Sequence, residues 1–165
     1  MAPSLTRILV PTDFSETADA ALAYAKTLAE RLGASLHLVH VFIDPYLVAA
    51  YAPEVYTPPP PDARERLLAE VNDRLFERLD TEDAQRFHGT RAVTSGLTAP
   101  QITAYAAQHD IDLIVMGTHG RRGVAHLLLG SVAEHVVRTA RCPVLTIRAE
   151  HAHPKQAEAK ATAAA

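Results

Sequence analysis

The chain has 165 residues, 48% apolar and 21% charged, with a formal net charge of −3 and a single cysteine, Cys142. At ~150 residues per domain this is one domain, large enough to bury roughly 68–70% of its unfolded surface without disulfides or a structural metal. The lone cysteine excludes an intramolecular disulfide, and the mild negative charge gives no electrostatic case for nucleic acid or an anionic membrane as partner. No apolar run approaches ~18 residues, so no membrane span is expected. Met1–Arg7 lacks a basic region followed by an apolar core, so no secretory leader is expected and a cytoplasmic protein is the reading.

Strand-like and helix-like segments alternate. Leu5–Val10 is a short apolar run. Residues 15–32 place Ala18, Ala21, Leu22, Ala25, Leu28, Ala29 and Leu32 at helical spacing, and Gly33 ends the pattern as a C-terminal cap. Leu36–Phe42 reads as a second strand. Residues 43–61 are irregular, with Tyr46, Tyr51 and Tyr56 spaced as in a mobile cover or a lid, and with Pro58–Pro61 stopping any regular element. Residues 62–80 return to helical period with Leu67, Leu68, Val71, Leu75 and Leu79 as the buried stripe. A strand over 90–95 closes at Gly96. Thr98 and Gln101 form a capping box for a helix to about His109. Asp112–Met116 is a strand, 117–129 a loop, Ser131–Ala140 a helix and Pro143–Arg148 a final strand.

This alternation predicts a single doubly wound α/β domain over 1–149. A five-stranded parallel sheet is covered by helices on both faces, so its strands are expected to be apolar throughout. The Ala-rich tail 150–165 adds little apolar bulk and is expected to lie outside the fold.

In such a sheet ligands bind beyond the carboxyl ends of the strands. Two places qualify: Pro11, Thr12 and Asp13 after strand one, and the stretch that opens on Met116 and Gly117 after strand four. The second holds Gly117, Gly120 and Gly123, with His119, Arg121 and Arg122 between them, and Gly130-Ser131 then opens a helix. The helix N-terminus offers backbone N–H groups and the positive end of the dipole to an anion. Ser131 adds a hydroxyl and the two arginines add positive charge, which makes a site for a phosphate chain. The spacing G-x2-G-x9-G-S matches neither of the two best-known phosphate loops. Asp13 suits the two hydroxyls of a ribose, and adenine then lies near Val41 at the end of strand two.

The blocks Arg7–Asp13, Leu38–Val41, Asp112–Gly120, Leu129–Glu134 and Cys142–Arg148 together resemble the universal stress proteins, over about residues 5–148. The glycine spacing resembles that of the family's ATP-binding members. The resemblance implies ribose contacts at Asp13 and Gly117, and adenine neighbours at Pro11 and Val41. It implies a phosphate cradle of Gly120, Gly130, Ser131 and Val132. It further implies Mg²⁺ or Mn²⁺ held through the ATP phosphates, with Ser131 as a possible ligand, and a homodimer joined through Val144–Arg148. The expected function is nucleotide-dependent regulation in a stress response, with an unidentified protein partner. The alternatives are a slow ATPase or phosphotransferase, or an interaction module binding another adenine nucleotide or none.

Structural roles compete at several of these residues. Asp13 with Glu16, and Ser131 with Glu134, read equally as capping boxes. His37 and His40 read as hydrogen-bonded core or edge histidines, and Cys142 as a small buried hydrophobe. His135 stands one helical turn past Ser131, with no third group to orient it as a base, so no catalytic residue is assigned.

Overall fold

The computed structural model describes residues 5–44, 60–118 and 129–148. Five parallel strands are present: β1 (Arg7–Pro11), β2 (Ser35–Phe42), β3 (Thr90–Ser95), β4 (Leu113–Gly117) and β5 (Val144–Ile147). They lie in the order β3-β2-β1-β4-β5. The helices are α1 (Glu16–Leu32), α2 (Ala63–Arg78), α3 (Thr81–Arg86), α4 (Thr98–Gln108) and α5 (Ser131–Thr139). The doubly wound α/β fold expected from the alternation is the one found.

The sheet separates two apolar cores. On one face Ile8, Val10, Leu36 and Leu38 pack with α1 and α2. On the other Leu9, Val39, Val41, Ile114 and Met116 pack with α4 and α5. Ile8, Leu9, Leu36, Leu38 and Ile114 are fully buried. Each such side chain contributes ~1.5–3 kcal/mol by leaving water, so the three central strands dominate the core energetics. The expectation of uniformly apolar strands fails at the margins. β3 (Thr-Arg-Ala-Val-Thr-Ser) and β5 are half exposed, because each is a sheet edge with a neighbour on one side only.

Four local expectations are corrected. The α1 cap is Ser15, whose hydroxyl accepts from the Ala18 N–H at 3.3 Å, and not Asp13. The α4 cap is Leu97 through its backbone, because Gly96, at φ 133°, turns the chain early enough that Thr98 is already helical. In α2 the buried stripe is Val71 and Leu75, continued by Leu79 beyond the helix. Leu68 is only partly buried and Leu67 is 39% exposed. At the end of α1, Leu32 also points to solvent. Helix α3 lies in a stretch the sequence reading leaves unassigned, and Asp80 starts it by accepting from the Asp83 N–H at 2.9 Å. The stretches 45–59 and 149–165, with the three tyrosines and the tail, lie outside the described residues.

Candidate functional site

The chain leaves β1 toward one side of the sheet and β4 toward the other, so the crevice between their carboxyl ends is the switch point. The Gly130 N–H donates to the Thr118 carbonyl at 2.7 Å. That bond brings the start of α5 against the end of β4. Gly117, Thr118, Gly130 and Ser131 therefore share one end of the crevice, and Pro11–Asp13 lie on the adjacent strand. His119, Gly120, Arg121, Arg122 and Gly123 lie outside the described residues.

Gly130 is the N-cap of α5, in extended conformation (φ −73°, ψ 157°), and no side chain caps the helix. This corrects the capping-box alternative for Ser131: the serine is the first helical residue and is exposed. The first bond of the turn is Glu134 N–H to Gly130 carbonyl, at 2.8 Å. The N–H groups of Ser131, Val132 and Ala133 thus precede the intrahelical ladder at the positive end of the dipole. The arrangement fits an anion.

On β1 the turn is tightly bonded. The Thr12 N–H donates to the Val39 carbonyl at 2.8 Å, and the Thr12 hydroxyl accepts from the Phe14 N–H at 3.0 Å. Asp13 Oδ1 accepts from the Ser15 N–H at 3.0 Å. Phe14 holds a left-handed backbone, φ 64°, a conformation that costs a residue with a Cβ roughly 1–2 kcal/mol. His40 donates from Nδ1 to the Thr12 carbonyl at 2.8 Å, and His37 Nδ1 bonds the Tyr105 hydroxyl at 3.0 Å. Both histidines are hydrogen-bonded, as their setting in a strand led us to expect.

Val41 contributes backbone. β2 runs past β1, whose last paired residue, Pro11, stands opposite Val39. The Val39 carbonyl faces β1 and the Phe42 carbonyl faces β3, so alternation turns the Val41 N–H and C=O to the β1 side, beyond the end of that strand. They form a donor and an acceptor side by side at the rim of the crevice. The Val41 side chain is buried in the α4/α5 core, and so is that of Met116. Val132 and Leu129 pack against the same core.

Gly117 has a reason that the sequence does not show. A Cβ there meets Thr17 Cγ2 at 2.8 Å and the Thr17 carbonyl carbon at 3.1 Å. The glycine lets α1 lie close on β4, whatever approaches from the crevice. Cys142 packs against the α4/α5 core as a small hydrophobe but is half-buried where burial was expected, and burial pushes its thiol pKa up, away from reactivity. Among the described residues no three His, Cys, Asp or Glu side chains cluster as a metal site. Phe14, His40 and Thr118 were missed as site-building residues. No spacing marks them, because their roles depend on contacts between strands.

The model of the universal stress protein family matches residues 4–148. A universal stress protein of Methanocaldococcus jannaschii is 31% identical over 147 residues, covering 86% of this chain and 81% of that one. One from Thermus aquaticus is 34% identical over 147 residues, covering 86% and 97%. The solved structure of universal stress protein UspA from Lactobacillus plantarum superposes with a TM-score of 0.71 at 30% identity, over 88% of this chain and 99% of that one. A universal stress protein solved in complex with cAMP shares the fold at a TM-score of 0.57 and 23% identity, over 89% and 99%.

Proposed function

Because this chain belongs to the universal stress protein family, we propose that it is an ATP-binding member acting as a homodimeric, nucleotide-dependent regulator. The observation that carries this is the alignment of three unlike binding elements along one crevice. The N-terminus of α5 suits phosphates, Asp13 suits the ribose hydroxyls, and the Val41 backbone pair suits the edge of adenine. Adenine offers a donor (its amino group) beside an acceptor (the ring nitrogen), which matches one C=O beside one N–H. Guanine reverses that order at the same edge.

The residues fit a nucleotide better than a bare metal. A divalent ion, Mg²⁺ or Mn²⁺, would be held by the phosphates, with the exposed Ser131 hydroxyl as the available protein ligand, and would neutralise phosphate charge. Gly120, Arg121, Arg122 and Gly123, with His119, would complete the phosphate end. No side chain is assigned a catalytic role, so the proposal is binding and signalling, not turnover.

The dimer is proposed through the outer edge of β5. The Pro143 carbonyl accepts from the Ile114 N–H of β4 and the Ile147 carbonyl from the Thr118 N–H just past its end. Alternation therefore turns the backbone groups of Val144 and Thr146 outward, where a second copy can pair with them. Val137, on α5, is 48% exposed.

A thermal titration with Mg²⁺-ATP tests the central reading. At about 100 times Kd the ligand adds ~2.7 kcal/mol. At ~2–4 °C per kcal/mol for a chain of this size, the midpoint rises by roughly 5–11 °C. The rise should shrink through ADP to AMP, be much smaller for GTP, and be lost in Gly130→Ala. No rise with ATP sinks the proposal.

A further inference from the structure

We propose that Phe14 is a positioning residue for the nucleotide. Its ring, clamped on His40 and Arg74, holds the strained turn that presents Asp13 to the ribose. The inference rests on the nucleotide reading given above.

Phe14 immediately follows Asp13 and has φ 64°. Glycine takes that backbone without steric cost, so only the ring accounts for a phenylalanine here. The ring is buried on the α1/α2 face of the sheet. It stacks on the His40 imidazole at 4.6 Å between centroids, with an interplanar angle of 24°. The Arg74 guanidinium lies 4.1 Å from the ring centroid and that of Arg78 lies 5.0 Å away. Both arginines come from α2. Arg78 is anchored in turn, donating to Asp19 at 2.7 Å.

The clamp and the turn share atoms. His40, which stacks on the ring, also donates to the Thr12 carbonyl at 2.8 Å. The Phe14 N–H donates to the Thr12 hydroxyl at 3.0 Å, and the Ser15 N–H, one residue on, holds Asp13 Oδ1 at 3.0 Å. Asp13 therefore sits between two fixed neighbours. The strained residue is overdetermined by its surroundings at the point where a carboxylate must meet two hydroxyls, the setting in which backbone strain persists. Without the ring, the turn is free to relax and the carboxylate loses its aim. The phosphate end, built on α5, does not depend on it.

The test separates aim from fold by pairing variants with ligands. Phe14→Gly still permits the native backbone conformation but removes the ring that holds the turn in it, Phe14→Tyr keeps the ring, and Arg74→Met removes only the cation from a partly exposed helix position. Each is titrated calorimetrically with Mg²⁺-ATP and Mg²⁺-2′,3′-dideoxy-ATP, which has no ribose hydroxyls for Asp13. Phe14→Gly should lose about tenfold or more in affinity for ATP, the size of one charge-assisted hydrogen bond, with little change for the dideoxy nucleotide. Arg74→Met should show a smaller loss with the same ligand dependence, and Phe14→Tyr should restore ATP affinity. An equal loss for both ligands, or no loss, overturns the proposal. If Phe14→Gly does not fold, Arg74→Met decides by the same criterion. Unsubstituted protein that binds both ligands equally refutes the contact between Asp13 and ribose, and the proposal with it. Unsubstituted protein that binds neither refutes the nucleotide reading itself.

Discussion

Gly117→Ala separates two reasons for a glycine at the heart of the candidate site. If the residue exists for a ligand, adding a methyl harms binding and leaves the empty protein intact. The geometry says otherwise. The new Cβ meets Thr17 Cγ2 at 2.8 Å, and Thr17 Cβ and the carbonyl carbon at 3.1 Å. One of these is backbone, so α1 must shift from β4 at its N-terminal turn. Overpacking of this kind costs about 1–3 kcal/mol. At ~2–4 °C per kcal/mol the thermal midpoint without nucleotide should fall by roughly 2–12 °C. Thr17→Ala removes the closest atom. In the Gly117→Ala background it should recover part of the loss, giving a double-mutant coupling of about 0.5–3 kcal/mol. Full recovery is not expected, because the Thr17 carbonyl carbon stays in place. Scanning calorimetry of the four proteins without nucleotide reads this directly. A Gly117→Ala protein that melts with the parent yet binds ATP poorly would refute the packing argument and return the glycine to the ligand.

Asp112 Oδ2 accepts from the Thr6 N–H and hydroxyl at 2.8 Å each and from the Arg7 N–H at 3.0 Å. Asp112→Asn should therefore lower stability by about 1–3 kcal/mol in urea unfolding at neutral pH. Burial alone would raise this carboxyl's pKa, but the Thr6 and Arg7 bonds outweigh it and hold it below the ordinary 3.8. Its stabilisation should be complete above that value and lost as pH falls below it, so parent and variant should converge in acid. His37 is held below its ordinary 6.5 by burial first, then by His109 and Arg7. The unfolded chain binds the proton more readily, so stability should decline as pH drops through 6.5, and His37→Gln should flatten that slope in pH-dependent denaturation. Thr146→Pro removes an outward N–H of β5 without touching the ladder to β4. If the proposed dimer forms through β5, light scattering should show a dimeric parent and a monomeric variant, and a variant that remains dimeric would refute the β5 interface.

Where the chain's own periodicity bears on an element, the elements are legible before folding. Ala18, Ala21, Leu22, Ala25 and Ala29 mark α1 because a helix buries one stripe, and all five are buried. The unbroken apolar runs of β1, β2 and β4 mark strands covered on both faces. The family resemblance and the doubly wound fold follow from the same local signals, and so does the identification of Gly130 with a helix N-terminus. The finer assignments depend on what comes near from elsewhere in the chain. Ser15 and not Asp13 caps α1, because the turn spends Asp13 on the Ser15 N–H one step earlier. Leu67 looks like a core residue, yet the angle of α2 on the sheet leaves it in water.

At the site the division is sharper. Residue types and spacing single out Asp13, Gly130 and Ser131 as the candidates for the proposed ligand chemistry, since carboxylates and helix starts carry their properties with them. The distances to Thr17, Val39 and Thr118 decided the rest. They gave Gly117 a packing reason, turned the Val41 backbone toward the crevice, and set Phe14 against His40 and against Arg74, the latter sixty residues further along the chain. Close approach between distant segments has no period and no motif, because it comes from how helices seat on a sheet and not from any one stretch of residues.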